Sequence, residues 1–500
     1  MIYNFNLGIG WASSGVEYAQ VYRANCFRQA GIEARFLFTD MIRYENIEHL
    51  TANIGLKEEE VIWLYLFFTD QCVRPSSYPL SALEKSFMSQ KYSCKTEKNI
   101  RRYHFEEQSL DVLAYRGAYE NTVQRVEYIC YGKLVRTEYY SDRKMFTEYF
   151  IPAGKAPKPQ LRQFYNKDGS LAYEEIVDES NSIFRFPNQI FYSKTELLCE
   201  FIFRLHLTEK DVILLDRSTE LCQPVLRCHK PARIGAVVHA EHYNKHFSDD
   251  QNILWNNHYE YVFTNADAFD FIICSTDAQA DTLRKQLASY WRQEPRIVTI
   301  PVGSLKELKY SDKPRRKHAV LTASRLAEEK HIDWLIRATV IARKSVPDLE
   351  FDIYGKGSGE AAARSLIREL NAESYIHLCG HHNMTDIYTQ YEAYISASGS
   401  EGFGLTLMEA VGSGLPIIGF DVPYGNITFI REGRNGYRIN MDQDVECLVK
   451  ELADRIVRLF TRADLAAFSE ESYELAKEFR DEAVTARWRN LLEEDDDPAV

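Results

Sequence analysis

The chain opens with a short apolar run, a glycine-rich turn and a long segment of helical periodicity. Residues 2–7 (IYNFNL) have the pattern of a strand, and residues 16–31 (VEYAQVYRANCFRQAG) carry apolar side chains at helical spacing. That segment ends at Gly31, a residue type common just after a helix. A second strand is predicted at residues 32–38 (IEARFLF). This order is typical of a doubly wound α/β sheet.

From about residue 61 to residue 194 the pattern changes to tyrosine-rich segments in which apolar and polar positions alternate. Gly132 and the pair Asp168-Gly169 supply turn signals between these segments. The pattern predicts an antiparallel β-meander inserted into the first α/β domain. Two hypotheses remain for its role, a surface that binds a partner or an acceptor and a structural embellishment.

Continuous apolar runs then predict buried parallel strands with helical segments between them. Four runs complete the first sheet: residues 211–216, 232–242, 269–276 and 296–303. After a polar linker at residues 312–318, five runs form a second sheet: residues 319–326, 349–359, 375–380, 393–398 and 415–420. Two such domains bind a ligand at the carboxyl ends of their strands.

The predicted fold class is therefore α/β, with two doubly wound, Rossmann-like domains and the inserted antiparallel domain. The predicted divisions are an N-terminal domain (1–60 and 195–305), an inserted domain (61–194), a C-terminal domain (306–480), and a final helix with an acidic tail (481–500).

Composition narrows the class of protein. A chain of 500 residues is too long for a single hydrophobic core, so two or three domains are expected. No segment reaches the roughly 20 consecutive apolar residues of a membrane span. The formal charge of −13 argues against general binding of nucleic-acid phosphates. No secretion signal is visible, so a cytoplasmic location is expected. The ten scattered cysteines are expected to be reduced and mostly buried, with a structural zinc site as the weaker alternative.

Residues 8–15 (GIGWASSG) form the first candidate binding element. A glycine-rich turn lets a ligand approach the backbone, and the helix that follows presents free N–H groups to an anion such as phosphate. The spacing is not G-x-G-x-x-G. A tight strand-to-helix turn without a ligand explains it equally well.

Two cations follow the first strand of the second sheet. Arg325 and Lys330 lie in residues 322–336 (TASRLAEEKHIDWLI), just after a buried strand and at the entrance to a helix. At that place they can grip a diphosphate. Ordinary surface charge is the alternative, although the helix dipole favours acids over bases there.

Residues 401–422 (EGFGLTLMEAVGSGLPIIGFDV) hold a second glycine-rich turn with two carboxylates. Gly402 and Gly404 keep the turn open, so the N–H groups of residues 403–406, including that of Phe403, can point at a ligand. Glu401 lies at the mouth of the turn and Glu409 inside the helix. Carboxylates accept hydrogen bonds from vicinal diols, so two of them can hold two sugars. The alternative for Glu409 is a carboxylate satisfied by a local helix N-terminus.

The spacing of Glu401 and Glu409, preceded by SRLAEEK, resembles the retaining glycosyltransferases of the GT-B fold, family 4-like. The resemblance covers most of the chain outside the insertion. It implies that Arg325 and Lys330 neutralise a departing nucleotide diphosphate without a metal ion or a cofactor. It also implies that Glu401 holds the donor sugar and Glu409 the ribose. His381 and His382, in the segment GHHN, fall where the family contacts the base.

Residues 6–24, residues 237–244 and the tyrosine-rich insertion are together similar to one family, the catalytic subunits of bacterial O-linked N-acetylglucosaminyltransferases that modify serine-rich-repeat adhesins. This similarity implies that Gly15, Val16, Glu17 and Tyr18 contact the nucleotide. It also implies that a histidine of residues 239–242 (HAEH) contacts the sugar. His239 ends a predicted strand and is favoured, but spacing alone does not decide between it and His242. A satisfied core histidine is the alternative for either.

The same similarity implies UDP-N-acetylglucosamine as donor substrate and a Ser/Thr-rich polypeptide as acceptor. It implies a homologous non-catalytic partner subunit bound through the inserted sheet, and it leaves a peripheral membrane association open. Retention of anomeric configuration without an evident carboxylate nucleophile implies a front-face reaction. Two other hypotheses stay open: a transferase of the same fold for UDP-glucose or a saccharide acceptor, and a non-catalytic scaffold or chaperone subunit.

Overall fold

The computed structural model describes residues 1–11, 14–88, 90–153, 156–178 and 181–493. Two residues of the first glycine-rich turn, Ala12 and Ser13, lie outside the described residues, as does the predicted acidic tail at residues 494–500.

The strands, in chain order, are β1 (Ile2–Asn6), β2 (Ala34–Phe38), β3 (Val61–Trp63), β4 (Tyr78–Pro79), β5 (Ser93–Glu97), β6 (Ile100–Phe105), β7 (Leu110–Arg116), β8 (Thr122–Cys130), β9 (Lys133–Tyr140), β10 (Lys144–Ala153), β11 (Ala156–Tyr165), β12 (Leu171–Ile176), β13 (Ile183–Arg185), β14 (Ile190–Phe191), β15 (Val212–Leu215), β16 (Arg233–Val238), β17 (Phe271–Cys274), β18 (Ile297–Thr299), β19 (Ala319–Ala323), β20 (Glu350–Tyr354), β21 (Ile376–Gly380), β22 (Ala393–Ile395), β23 (Ile417–Phe420) and β24 (Gly436–Ile439).

The α-helices are α1 (Gly15–Ala30), α2 (Ile47–Ile54), α3 (Leu64–Phe67), α4 (Leu80–Ser86), α5 (Lys194–Arg204), α6 (Cys222–Cys228), α7 (Glu260–Thr264), α8 (Asp277–Gln286), α9 (Ile332–Ala342), α10 (Glu360–Glu369), α11 (Leu405–Gly412), α12 (Gly425–Phe429), α13 (Val445–Arg462), α14 (Leu465–Ala476) and α15 (Asp481–Glu493). Among the described residues, no helix is long and apolar enough to cross a membrane.

These strands form three sheets. A seven-stranded sheet has the order β18-β17-β16-β15-β1-β2-β3, and a six-stranded sheet has the order β21-β20-β19-β22-β23-β24. The recorded strand pairs in both are parallel, for example β1 with β2 and β19 with β20. An eleven-stranded sheet runs from β5 to β14 through sequential antiparallel pairs, with β4 on β8. The predicted fold class is confirmed in these three sheets.

Contacts divide the chain into two compact units. The first contains Met1–Ala24, Ile32–Ala236 and Ala268–Asp270, and the second contains Asn25–Gly31, Val237–Asp267 and Phe271–Val500. One boundary differs from the prediction, because β3 at Val61–Trp63 pairs with β2 in the parallel sheet and lies past the predicted boundary at residue 60. A run of three residues is too short for its pattern to distinguish it from the tyrosine-rich segments that follow.

The core of the second unit forms between the six-stranded sheet and the helices on it. Helix α13 buries Leu448, Val449, Leu452, Ala453, Ile456 and Leu459, a spacing that places them on one face. They pack in one cluster with sheet residues such as Phe351 and Ile395. Full burial of each large aliphatic side chain contributes about 1.5–3 kcal/mol, so this face anchors the sheet that carries the site.

The segment predicted as a polar linker is tied to the sheet instead. Arg315 donates to the carbonyls of Tyr391 at 2.6 Å and Ser413 at 2.7 Å, and Arg316 donates to Asp352 at 2.7 Å. Charged side chains read as solvated from sequence therefore satisfy buried acceptors.

All ten cysteines are free thiols. The prediction that most are buried is wrong: Cys26, Cys222 and Cys274 are buried, whereas Cys72, Cys94 and Cys447 are exposed and the other four are intermediate. No group of three or more His, Cys, Asp or Glu side chains suited to a metal ion occurs among the described residues.

Candidate functional site

The candidate site lies where the strand order of the six-stranded sheet reverses. Strand β19 is flanked by β20 on one side and β22 on the other. The chain leaves β19 and β22 toward opposite sides, which opens a crevice at their carboxyl ends. Residues 324–331 follow β19 and residues 396–404 follow β22, so these two loops border the crevice.

The β19 loop lies against a second glycine-rich segment. A Cβ atom at Gly355 would lie 1.8 Å from the Ser324 carbonyl oxygen, and one at Gly357 would lie 2.4 Å from that of Leu326. Only glycine permits this approach. The contact places the exposed Lys356 beside the loop that carries Arg325, because the Leu326 N–H donates to the Lys356 carbonyl at 3.0 Å. Sequence reasoning missed Lys356, although the segment GKGSG after β20 was a signal.

Lys330 and Glu401, two predicted site residues, meet in the structure. Lys330 ends a 3₁₀ turn at Glu328–Lys330, and its Nζ lies 2.8 Å from Glu401 Oε2. Their side chains are 16% and 21% exposed, so the pair is partly shielded. Arg325 is different: its side chain is 79% exposed, and it reaches Glu329 at 3.3 Å. The structure thus holds one predicted cation in place and leaves the other largely in solvent.

The turn before α11 presents backbone donors without a side-chain cap. Gly404 is the N-cap residue, with φ of 87° and no side-chain hydrogen bond to the helix. The first N–H groups of a helix have no acceptors within the helix, so those of Leu405 and Thr406 can serve a ligand. Gly404 fits this left-handed conformation because it lacks a Cβ atom. The turn therefore has the geometry that an anion site needs, and binding of an anion by residues 403–406 stays a prediction.

This turn is fastened to the predicted histidine segment, residues 239–242. Ser400 Oγ donates to Glu241 Oε2 at 2.9 Å. A Cβ atom at Gly402 would lie 2.9 Å from the His239 carbonyl oxygen. The N–H of Tyr424 donates to the Glu401 carbonyl at 2.7 Å. Ser400, Glu241 and Tyr424 therefore hold the backbone around Glu401, and sequence reasoning identified none of them.

The two candidate histidines have different environments. His242 is 0% exposed; its Nε2 lies 2.7 Å from Gln286 Oε1, and its Nδ1 lies 3.2 Å from the Tyr424 hydroxyl. Burial lowers the pKa of His242 to about 4, so the ring is neutral near pH 7. His239 is partly exposed directly after β16, and its N–H bonds to the Tyr259 hydroxyl at 3.0 Å. This geometry favours His239 for a ligand and a core role for His242.

Glu409 lies one turn into α11 and has a specific partner. The Tyr388 hydroxyl donates to Glu409 Oε2 at 2.9 Å. This bond gives the Glu409 carboxylate one defined partner, and its role toward a ligand stays a prediction. His381 and His382 are exposed just after β21, and His382 Nε2 lies 2.9 Å from the Cys379 carbonyl oxygen.

The first glycine-rich turn, in the first unit, is capped by its own side chains. The Ser14 N–H and hydroxyl both bond to Glu17 Oε2 at 2.6 Å, and the Ser14 hydroxyl accepts from the Val16 N–H at 3.3 Å. This pairing is a variant of the capping box, in which the hydroxyl accepts from the second N–H of the helix instead of the third. Glu17 also accepts from Asn6 at 3.2 Å, so its carboxylate already has partners. Tyr18 is exposed, Val16 is buried, and a Cβ atom at Gly15 would meet nothing within 4 Å.

Two family models match parts of the chain. One, described as the GtfA extended beta-sheet domain, matches residues 93–188. The other, described as glycosyl transferases group 1, matches residues 317–462. The first match falls on the antiparallel sheet and the second on the six-stranded sheet that carries the candidate site.

Relatives of the whole chain carry one description. The chain is 50% identical over 498 residues to the UDP-N-acetylglucosamine--peptide N-acetylglucosaminyltransferase GtfA subunit of Streptococcus agalactiae, with 98% of each chain covered. It is 47% identical to the subunit of the same description from Streptococcus parasanguinis, with 99% of each covered.

Solved structures are similar over the same length. The pneumococcal O-GlcNAc transferase GtfA, in complex with UDP and GlcNAc, has a TM-score of 0.93 and 44% identity, covering 99% of this chain and 98% of that one. A GtfA/B complex has a TM-score of 0.94 and 46% identity, covering 99% and 100%. TarM, at 18% identity and a TM-score of 0.76, is similar in fold only.

Proposed function

Because the chain belongs to the family of GtfA subunits, we propose that it transfers N-acetylglucosamine from UDP-N-acetylglucosamine to Ser or Thr hydroxyls of a polypeptide. The proposal extends to a serine-rich-repeat adhesin as the acceptor. The observation that carries it is the contact of Lys330 with Glu401 beside the uncapped turn of α11. That arrangement combines a cation, free N–H groups and a sugar-binding carboxylate in one crevice.

Leaving-group stabilisation follows from the charges at this crevice. Breaking the bond between sugar C1 and the phosphate oxygen leaves a negative charge on the diphosphate. Lys330 and the N–H groups of residues 403–406 would stabilise that charge. The exposed Arg325 side chain would move from solvent onto the diphosphate and add a second positive charge. The acceptor hydroxyl oxygen bonds to C1 on the same face and its proton passes to the departing phosphate oxygen, so configuration is retained.

The remaining site residues have proposed roles on the donor. Glu401, oriented by Lys330, would accept hydrogen bonds from the sugar hydroxyls, and Glu409 from the ribose hydroxyls. His381 and His382 would contact the base. His239 would contact the sugar, because it is the partly exposed histidine of its segment.

The first glycine-rich turn would add contacts to the nucleotide through the backbone of Gly15 and the exposed Tyr18 ring. Val16 would contribute by packing beneath that contact, because its side chain is buried and its N–H already donates to Ser14 Oγ at 3.3 Å. Glu17 would act indirectly, because its carboxylate caps the turn. Its engagement with Ser14 and Asn6 supports this division of roles.

The domain roles are part of the proposal. Residues 1–60 with 195–305 would form the acceptor-side domain and residues 306–480 the nucleotide-sugar domain. Residues 61–194 would dock a homologous non-catalytic subunit. The GtfA/B complex of a relative supports such a partner. We place the reaction in the cytoplasm, at or near the cell membrane.

The test is transfer by the purified chain to a Ser/Thr-rich polypeptide, from UDP-N-acetylglucosamine and separately from UDP-glucose, with and without a co-expressed partner subunit. We expect transfer from the N-acetylated donor that depends on the partner. Transfer from UDP-glucose alone would change the donor but keep the reaction class. If neither donor is transferred or hydrolysed, the scaffold hypothesis replaces this one.

Docking through the insertion has its own test. A chain lacking residues 90–188 should lose co-purification with the partner subunit and should still bind UDP. Co-purification of that variant at wild-type yield would contradict docking through the antiparallel sheet.

A further inference from the structure

We propose that Tyr388 is a positioning residue for the nucleotide ribose, because its hydroxyl fixes the carboxylate of Glu409. This inference rests on the proposed function, which assigns Glu409 to the ribose. The Tyr388 hydroxyl donates to Glu409 Oε2 at 2.9 Å, and Tyr388 is only 1% exposed. The bond is therefore largely shielded from competing water.

A hydrogen bond at this place affects binding in a specific way. A glutamate side chain has several free torsions, and ordering it on ligand binding costs conformational entropy. The buried hydroxyl orders the carboxylate before the nucleotide arrives, which is preorganisation. Bonds to charged acceptors are stronger than neutral ones, so the effect is large enough to measure.

The short turn that carries Tyr388 is bonded to neighbouring segments. Tyr388 begins a 3₁₀ turn that ends at Gln390, whose carbonyl accepts from the Arg316 N–H at 2.8 Å. The next residue, Tyr391, donates its hydroxyl to buried Asp352 at 2.5 Å. These bonds fasten both the backbone and the following side chain. The turn therefore has a fixed position against β20 that does not require a nucleotide.

Loss of the Tyr388 hydroxyl should weaken only the binding of nucleotides that carry ribose hydroxyls. Tyr388→Phe removes one oxygen atom and keeps the ring that fills the core. The Glu409 carboxylate then samples more orientations. A nucleotide that offers no 2′ and 3′ hydroxyls makes no bond to that carboxylate, and its affinity should not depend on Tyr388.

The experiment is calorimetric titration of the full chain with UDP and with 2′,3′-dideoxyuridine diphosphate. Tyr388→Phe should weaken UDP binding by about five- to tenfold, the loss expected for a disturbed bond to a charged group, and leave the dideoxy nucleotide unchanged. Glu409→Gln should weaken UDP binding at least as much. In transfer assays Tyr388→Phe should raise KM for UDP-N-acetylglucosamine by a similar factor, with kcat within about twofold of wild type.

Tyr473→Phe is the matched control. Its hydroxyl donates to the Lys309 carbonyl at 2.8 Å and lies 3.2 Å from that of Ser413, so its loss removes a structural bond near the far end of α11. We expect no change in the ratio of the two nucleotide affinities for this variant. Equal weakening of both nucleotides by Tyr388→Phe would overturn the inference, because a merely structural role predicts it.

Failure of the proposed function gives a different result. A wild-type chain that binds neither UDP nor UDP-N-acetylglucosamine would overturn both proposals. A wild-type chain that prefers UDP to the dideoxy nucleotide, and loses that preference in Glu409→Gln but keeps it in Tyr388→Phe, would overturn only the role of Tyr388.

Discussion

Helices α1 and α11 each begin after a glycine-rich turn, at residues 8–15 of the first unit and residues 402–404 of the second. The first turn is closed by a capping box of Ser14 and Glu17. The second has Gly404 as its N-cap, without a side-chain cap. Glycines alone therefore do not identify an anion site. The neighbouring polar residues decide whether the first N–H groups of the helix are used by the protein or left for a ligand.

The two turns are also supported by different kinds of side-chain contact. Beneath the first, Asp216 pairs with Arg23 at 2.8 Å in a buried polar network. Behind the second, the neutral ring of His242 contacts Tyr424, whose N–H bonds to the Glu401 carbonyl. We therefore expect mutations around the second turn to lower the rate of transfer most. We also expect acid to lower the stability of the protein there, because His242 is buried without a charge.

The largest expected effect comes from the cation beside the second turn. Lys330→Ala should lower kcat by about 10²- to 10³-fold, because it removes a group that stabilises the departing diphosphate. Arg325→Ala should also abolish turnover, because its exposed guanidinium would close over the diphosphate. Both are measured by transfer from UDP-N-acetylglucosamine, with circular dichroism to confirm the fold.

Arg337→Ala is the control for these variants, because Arg337 lies on α9 and pairs with Glu446 at 3.5 Å. It should retain normal transfer. Near-normal activity in both Lys330→Ala and Arg325→Ala would remove the assignment of the second turn as the diphosphate site.

Acid should destabilise the folded protein through His242, which packs behind the second turn. The pKa of His242 is lowered from 6.5 to about 4, chiefly by burial. Below pH 6.5 the unfolded chain binds a proton that the folded chain resists, so stability falls as pH drops from 6.5 toward 4. The loss over the whole window is on the order of 3 kcal/mol. Urea denaturation at pH 7 and pH 5 measures it.

His242→Asn should be less stable at pH 7 but should show a smaller loss between pH 7 and pH 5 than wild type. An unchanged slope in His242→Asn would show that other groups cause the acid sensitivity.

Substitution of one glycine in each turn by alanine should lower the free energy of unfolding by different amounts. Gly404→Ala forces a side chain into φ of 87° and places its Cβ 2.8 Å from Leu407 Cδ1, so we expect a loss of about 1–2 kcal/mol. Gly15→Ala meets nothing within 4 Å and should change stability by less than about 0.5 kcal/mol. Thermal unfolding of both variants checks this. Equal losses would mean that the turns are equally constrained.

Substitutions in the capping box should affect stability modestly and nucleotide binding very little. Ser14→Ala should cost about 1 kcal/mol of stability, because the helix loses its N-cap bond. Glu17→Gln should cost a similar amount or less and should change UDP affinity by less than about threefold, since its carboxylate serves the turn. A loss of UDP affinity as large as that of Glu409→Gln would instead place Glu17 on the nucleotide.

Much of this architecture follows from sequence because buried parallel strands are continuous apolar runs. Runs at residues 319–326 and 415–420 correspond to β19 and β23. Strand β24 was missed because its four residues, Gly436–Ile439, alternate and follow a turn. Each of Lys330, Glu401 and Glu409 could be singled out from its position after a strand or in a helix.

The partners of those residues could not be predicted, because they come from distant segments. Tyr388 lies 21 residues from Glu409, and Glu241 lies 159 residues from Ser400. Periodicity reports which face of an element is buried but not which hydroxyl meets which carboxylate. The same limit leaves the choice between His239 and His242 open from sequence, and only the burial of His242 favours His239 for the sugar.

The most direct test is hydrogen–deuterium exchange of the full chain with and without UDP. The amides of residues 404–406 have no acceptor within their helix, so they should exchange rapidly in the free chain and slow on addition of UDP. The Ser14 amide, already bonded to Glu17, should change little. Unchanged exchange at residues 404–406 under saturating UDP would contradict the assignment of the second turn as the nucleotide diphosphate site.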